Sequence, residues 1–250
     1  MNLKNQTAII TGGGSGMGAA SARALAGAGA KIVLWDMNLE AAAAVAKETG
    51  GTAIRCDVTS EASVREALER SGEPRILVNC AGILIGKRIV GKDGPADLDH
   101  FMKVINVNLA GTYNTMRLVA GEMSKLDPVN DDGERGVIIN AASIAAFEGQ
   151  IGQVAYSASK GGIVAMTLPA ARDLGKLGIR VMAIAPGAVQ TPMIGTISQE
   201  LQDSIAANIP FPSRMAMPEE FAKLALHIVE NAYLNGTVIR LDGASRLAAK

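Results

Sequence analysis

Short apolar runs recur along the chain, at residues 7–11, 31–35, 52–56, 75–78, 137–140, 179–185 and 238–241. Each is rich in Val, Ile or Leu, lacks a strict apolar–polar alternation and is bounded by turn residues, which predicts strands buried on both faces. Between them the apolar positions return with helical spacing. Helices are predicted from the glycines at 16–18 to about Ala28, over 39–47 and over 61–70 with Thr59 or Ser60 as cap, and one long helix is predicted over 98–123. Strands alternating with helices predict an α/β fold, a doubly wound parallel sheet of about seven strands with helices on both faces. With no internal repeat and no Pro/Gly-rich linker, residues 1–250 are expected to form one domain. Residues 85–96, 126–136 and 186–212 read as loops.

Ligands of such a sheet bind outside the carboxyl ends of its strands. Asp36, Asp57, Asn79, Ser143 and Pro186 each follow a strand end and should therefore line one crevice. The first strand runs into Gly12-Gly13-Gly14-Ser15-Gly16-Met17-Gly18 and then a helix. Glycines allow a tight turn and close backbone approach, and a helix N-terminus offers open N–H groups, so the stretch suits a dinucleotide pyrophosphate. A loop that merely turns the chain could also use these residues. The Gly-Lys-Ser/Thr of a nucleotide-hydrolysing loop is missing. Asp36 stands where an acidic residue binds ribose hydroxyls and repels a 2′-phosphate, and no Arg follows closely. NAD rather than NADP is expected, although an Asp there could also cap the following helix.

Tyr156 and Lys160 are four residues apart and would share one helix face, with Ser143 ending a strand before them. An ammonium beside a phenol favours the phenolate. Two unit charges ~4 Å apart at an effective dielectric of ~20 interact by roughly 4 kcal/mol, enough to make Tyr156 a usable acid/base. Such a pair on a half-exposed helix could equally just cover apolar surface.

Composition changes the picture mainly by exclusion. Lys+Arg and Asp+Glu are 24 each, so the formal charge is zero, which argues against nucleic-acid and anionic-membrane surfaces as partners. No apolar run approaches the ~18 residues of a membrane span. The two cysteines, Cys56 and Cys80, suggest a reducing, cytoplasmic setting. His100 and His227 lie far apart without partners at ligand spacing, so no metal is expected. The first strand begins almost at once, so no targeting peptide is expected.

Thr11-Gly12…Gly16…Gly18, Asn79-Cys80-Ala81-Gly82, Asn108, Ser143 and Tyr156…Lys160 resemble, in order and spacing, the short-chain dehydrogenase/reductase superfamily, whose fold is Rossmann-type. Cys80 departs from that pattern, which more often has Asn. The resemblance implies that Asn108, Ser143, Tyr156 and Lys160 are catalytic. Tyr156 would exchange the proton, Lys160 would lower its pKa and hold the nicotinamide ribose, Ser143 would orient the substrate oxygen, and Asn108 would support a water chain. It further implies cofactor contacts from Gly12, Ser15, Gly16, Met17, Gly18, Asp36, Asp57, Val58, Asn79, Cys80, Ala81, Gly82, Tyr156, Lys160, Pro186, Val189 and Thr191, with Ser143, Gln153 and Tyr156 at the substrate.

Residues 147–153, 161–174, 210–214 and 234–244, with the long 85–96 segment, are similar to the type II 3-hydroxyacyl-CoA dehydrogenase subfamily. That implies reversible NAD-dependent oxidation of a 3-hydroxyacyl-CoA, and a homotetramer with its last strand and C-terminal tail at interfaces. A hydroxysteroid or other secondary-alcohol dehydrogenase would share every catalytic residue. A 3-oxoacyl-carrier-protein reductase is disfavoured by Asp36, and a non-catalytic NAD-binding scaffold would not need the catalytic set. Lys87, Arg88 and Lys92 could meet coenzyme A phosphates or form a solvated face, while Met193, Ile194, Ile197, Leu201 and Ile205 suit an apolar acyl chain.

Overall fold

Ile9 and Ile10 are both fully buried, yet they face opposite ways, and that alternation organises the molecule. A computed structural model describes residues 1–192 and 198–249. Seven parallel strands form one sheet: β1 (Thr7–Thr11), β2 (Lys31–Asp36), β3 (Thr52–Arg55), β4 (Pro74–Asn79), β5 (Gly136–Ala141), β6 (Ile179–Pro186) and β7 (Val238–Leu241). Their order across the sheet is β3-β2-β1-β4-β5-β6-β7. Every residue of β4, β5 and β6 is buried, which is why these strands read as unbroken apolar runs.

On one face Ile10, Leu34, Ile76 and Ile139 pack with Leu25 of α1 (Gly16–Gly27), Val45 of α2 (Leu39–Thr49), and Phe221 of a helix over Pro218–Glu230. On the other, Ile9, Val33, Leu77 and Ile138 pack with Val64 of α3 (Glu61–Glu69) and with Val119 and Met123 of a helix over Gly111–Met123. Caps fix the helix starts. Asn38 accepts the Ala41 N–H, and Ser60 accepts the Ser63 N–H, so of the two expected caps Ser60 is the one used.

The structure departs from the sequence reading at three places. The long helix over 98–123 is divided into α4 (Leu98–Ile105), a π-turn (Asn106–Ala110) and α5 (Gly111–Met123). The 85–96 loop contains a small antiparallel pair, Val90–Gly91 with Gly94–Pro95. After α6 (Val154–Gly175) and α7 (Gln199–Ala207), α8 (Pro218–Glu230) covers the sheet where the sequence reading assigns no element. Its signals are present: Pro218 at the first turn, Glu220 accepting the Met217 N–H, and apolar Phe221, Ala225, Ile228 and Val229 at helical spacing. Of the stretch expected to suit an acyl chain, Met193, Ile194 and Ile197 lie outside the described residues, as does the Leu201 side chain.

Under the C-terminus of α8 lies Arg180 of β6, 6% exposed. It pairs with buried Glu134 at 2.8 Å and donates to the carbonyls of Ile228 (2.8 Å), Leu234 (2.9 Å) and Val229 (3.0 Å). Helix ends leave carbonyls unpaired, and the guanidinium satisfies those of Ile228 and Val229, the latter together with the Met1 amino group at 2.7 Å.

Candidate active site

A cleft of about 1020 Å³ opens at the carboxyl edge of the sheet. One end is built by the turn from β1 into α1. Gly12 has φ +63°, and an added Cβ there would meet the Ala81 nitrogen at 2.9 Å. At Gly18 an added Cβ would stand 2.1 Å from the Gly12 carbonyl oxygen, so helix and loop touch backbone to backbone. Ser15 precedes α1 without making a side-chain cap, which leaves the first-turn N–H groups open toward the cleft. Asp36 accepts the Gly14 N–H (2.9 Å) and the Asn38 N–H (2.9 Å), so it holds the glycine loop as well as facing the cleft. Asp57 accepts both the N–H and the hydroxyl of Thr59.

Of the expected cofactor contacts, only Asn79 stays out of the lining; Gly12, Ser15, Gly16, Met17, Gly18, Asp36, Asp57, Val58, Cys80, Ala81, Gly82, Tyr156, Lys160, Pro186, Val189 and Thr191 all line the cleft. Asn79 is buried behind it. Its Oδ1 accepts from Thr11 (3.3 Å) and Thr115 (2.8 Å), and its Nδ2 donates to Asn140 (2.9 Å). Thr11 Oγ1 in turn accepts the Ala81 N–H at 3.2 Å, so Asn79 holds the loop after β4 from below. Asn108, fully buried in the π-turn, also lies behind the wall. Its Oδ1 accepts the Ile83 N–H (2.8 Å), while its Nδ2 donates to the Ile83 carbonyl (2.9 Å) and to Ser159 Oγ (3.1 Å).

Ser143, Gln153, Tyr156 and Lys160 converge on the middle of the cleft. Ser143 starts a short 3₁₀ turn and accepts the Ala145 N–H. Lys160 Nζ lies 5.8 Å from the Tyr156 ring centroid and donates to the Ala141 carbonyl at 2.6 Å. The electrostatics differ from the sequence expectation. Burial pushes the Tyr156 phenol up, and the Ser143 hydroxyl pulls it partly back; no lowering by Lys160 enters. The reason is geometric: the ammonium sits beneath the ring and turns to a backbone carbonyl. Lys160 is itself pushed down to about 8 by burial.

That shift has a stability consequence. Below about pH 8 Lys160 is charged in both states, and the folded state bears the full desolvation cost. Above it the folded chain releases the proton while the unfolded chain keeps it up to ~10.4, so stability rises with pH across that interval. Tyr156, its own value raised, opposes this once unfolded tyrosine ionises near ~10. The urea midpoint of the cofactor-free parent should therefore gain more between pH ~8 and ~9.5 than that of Lys160→Met. Parallel curves for the two proteins would contradict the buried-charge assignment.

Lys87, Arg88 and Lys92 do not line the cleft. Lys87 is held by Asp97, and its N–H bonds the Gly152 carbonyl at 2.8 Å. All three are exposed on the loop over 85–96, outside the cleft. Residues the sequence reading did not place here include Ile83, Leu84, Ser204, Asn208 and the 245–248 segment. Ile205, expected from composition, does line the cleft. Among the described residues no three His, Cys, Asp or Glu side chains gather, and no helix is long and apolar enough to cross a membrane.

A family model described as short chain dehydrogenase matches residues 6–202. A 3-hydroxyacyl-CoA dehydrogenase type-2 of Bos taurus is 50% identical, covering 98% of this chain and 97% of the relative. The crystal structure of 3-hydroxyacyl-CoA dehydrogenase type-2 from Mycobacterium avium superposes with a TM-score of 0.94 at 44% identity, covering 98% of each chain. That of a 3-ketoacyl-(acyl-carrier-protein) reductase from Brucella melitensis complexed with NADH gives 0.84 at 29% identity, covering 97% of this chain and 98% of that one.

Proposed function

The chain belongs to the short chain dehydrogenase family and is an oxidoreductase, and from that premise we propose that it oxidises a 3-hydroxyacyl-CoA to the 3-ketoacyl-CoA, reversibly, with NAD. The observation that carries the reading is the meeting of Ser143, Tyr156 and Lys160 in one cleft with the open N-terminus of α1. The names of relatives about half identical over nearly the whole chain supply the acyl-CoA. The donor set fits a dinucleotide: open N–H groups for the pyrophosphate, glycines that allow close approach, and Asp36 for ribose hydroxyls. The nicotinamide supplies the hydride acceptor or donor when bound.

The protein's part is proton transfer and position. Tyr156 Oη takes the proton of the substrate hydroxyl in oxidation and returns it in reduction. Ser143 Oγ donates to the same substrate oxygen and holds it beside the phenol. Lys160, beneath the phenol ring, would hold the nicotinamide ribose, and Asn108 acts from behind the wall by fixing Ile83. We take residues 1–250 as one catalytic domain that works in a reducing compartment, the cytoplasm, as a homotetramer. The free cysteines Cys56 and Cys80 support the former, and the exposed apolar side chains Leu98, Tyr113 and Phe211 support the latter. A hydroxysteroid or other secondary alcohol remains the second reading, since the cleft's size admits it.

One assay tests substrate and cofactor together. With a short 3-hydroxyacyl-CoA, NADH should form readily and NADPH poorly. Asp36→Ala should weaken NAD by about tenfold or more and narrow the gap between the cofactors, because the ribose contact, the glycine-loop anchor and the repulsion all go at once. Equal use of both cofactors by the parent would sink the NAD assignment.

A further inference from the structure

Beyond β7 the chain does not leave the molecule but turns back over the far end of the cleft. Gly243 and Ala244 both take left-handed backbone, with φ 58° and 64°. For an alanine that conformation is uncommon. Asp242 ties the turn: its Oδ1 accepts the Ala244 N–H at 3.0 Å, and its carbonyl accepts the Ser245 N–H at 2.9 Å. Residues 245–248 then line the cleft. Two bonds fasten the segment to the stretch before Tyr156, from Ile151 N–H to the Ala249 carbonyl (3.0 Å) and from Gln150 Nε2 to the Ala248 carbonyl (3.3 Å).

A charge cluster holds its root. Arg240 pairs with Glu148 and Asp242 and donates to the Ser245 carbonyl at 3.2 Å, with its guanidinium 5.1 Å from the Phe147 ring centroid. Arg246 bonds Asp242 at 3.1 Å. The Arg240–Glu148–Asp242 group is three-quarters buried or more, and desolvating ion pairs is costly, so it is an expensive way to fill a surface. Arg240, Glu148 and Asp242 are not among the residues lining the cleft; what they hold is the segment that is.

We infer that residues 245–248 are the specificity-determining wall of the substrate end. Half-buried Leu247 limits the apolar space beyond Ser143 and Tyr156, and Glu148 is the positioning residue that holds the wall through Arg240. The inference rests on reading that end of the cleft as the substrate site. It makes the enzyme selective for acyl chains short enough to end at Leu247.

The test compares the parent, Leu247→Ala and Glu148→Gln on 3-hydroxybutyryl-, 3-hydroxyoctanoyl- and 3-hydroxydodecanoyl-CoA. The uncharged ethyl esters of the same hydroxy acids are run in parallel, and NADH formation and NAD affinity are both read. In both variants the ratio of kcat/KM between the shortest and longest chains should fall by about tenfold, through a higher KM for the short chain and a lower one for the long. A merely structural role would instead lower kcat alike at every length and weaken NAD, and that result overturns the wall. If Leu247→Ala shifts the ratio and Glu148→Gln does not, the positioning role of Glu148 is overturned. A length shift on esters in a parent that ignores the thioesters upholds the wall and overturns the acyl-CoA reading. Thioester turnover with an unchanged length profile does the reverse, and a parent that oxidises neither series overturns both.

Discussion

Replacing Tyr156 by Phe should lower kcat by about 10²–10⁴-fold while NAD affinity changes by no more than about twofold. The substitution keeps the ring over Lys160 and removes only the oxygen that faces Ser143. The cofactor end of the cleft, built by the β1–α1 turn, Asp36 and the Asn79-supported loop, is untouched. A burial-raised phenol holds its proton tightly in the cofactor-free protein, so the oxygen works as a base only once the occupied site favours the anion. The variant therefore loses the proton acceptor and with it the step that leaves the substrate oxygen ready to become a carbonyl. Cofactor titration, circular dichroism and steady-state kinetics on one preparation separate the outcomes. Undiminished turnover by a folded variant would remove Tyr156 from the mechanism.

Arg180→Met should cost about 3–5 kcal/mol of stability, because removing one partner of a buried pair leaves the other charge uncompensated. Here Glu134 would lose its guanidinium and the carbonyls of Ile228 and Leu234 their donor, while the Val229 carbonyl would keep the Met1 amino group at 2.7 Å. Glu134 would keep Asn130 Nδ2 at 3.0 Å and the amino nitrogen of Met1 at 3.4 Å, which sets the loss within that range rather than above it. At ~2–4 °C per kcal/mol for a chain of this size, Tm should drop by roughly 6–20 °C. Adding Glu134→Gln should recover part of the loss, since the stranded carboxylate is then gone and the Met1 ammonium keeps the Val229 carbonyl at 2.7 Å. A double variant worse than the sum of the singles would contradict the buried-charge account.

The parts of this molecule that were legible in the sequence are those whose physics is local. Ile76-Leu77-Val78 and Val137-Ile138-Ile139 read as strands because both faces of each are covered. Asp36, Ser143 and Pro186 read as site residues because strand ends share one edge of the sheet. The π-turn was not legible: a single extra residue in a helical turn barely disturbs apolar spacing, yet it sets where Asn108 points. Lys87 looked available because a basic residue count does not show that Asp97 lies against it. The electrostatics of Tyr156 and Lys160 depend on depth of burial, which spacing does not encode. The tail lies against residues 148–151, nearly a hundred positions upstream, with no pattern in either stretch to announce the pairing. By contrast α8 carries its signals locally, with Pro218 in the first turn and Phe221, Ala225 and Ile228 at helical spacing.

The strand order carries a consequence for how the chain can be made. β2 adds to β1 and β3 to β2, and then β4 takes the free edge on the other side of β1. β5, β6 and β7 each extend the edge left by the strand before them. Every strand leaving the ribosome thus finds its neighbour already synthesised, and none must be slotted between two that are already paired. The sheet can grow outward from β1 in the order of translation, as N-terminal segments fold first. What travels with the growing chain is one uncovered, Val- and Ile-rich edge: β4 until β5 emerges, β5 until β6, β6 until β7. A nascent chain arrested once β5 has cleared the ribosome, with β6 still inside it, would hold the bare edge of β5 and should be markedly more prone to aggregate than one released after β7.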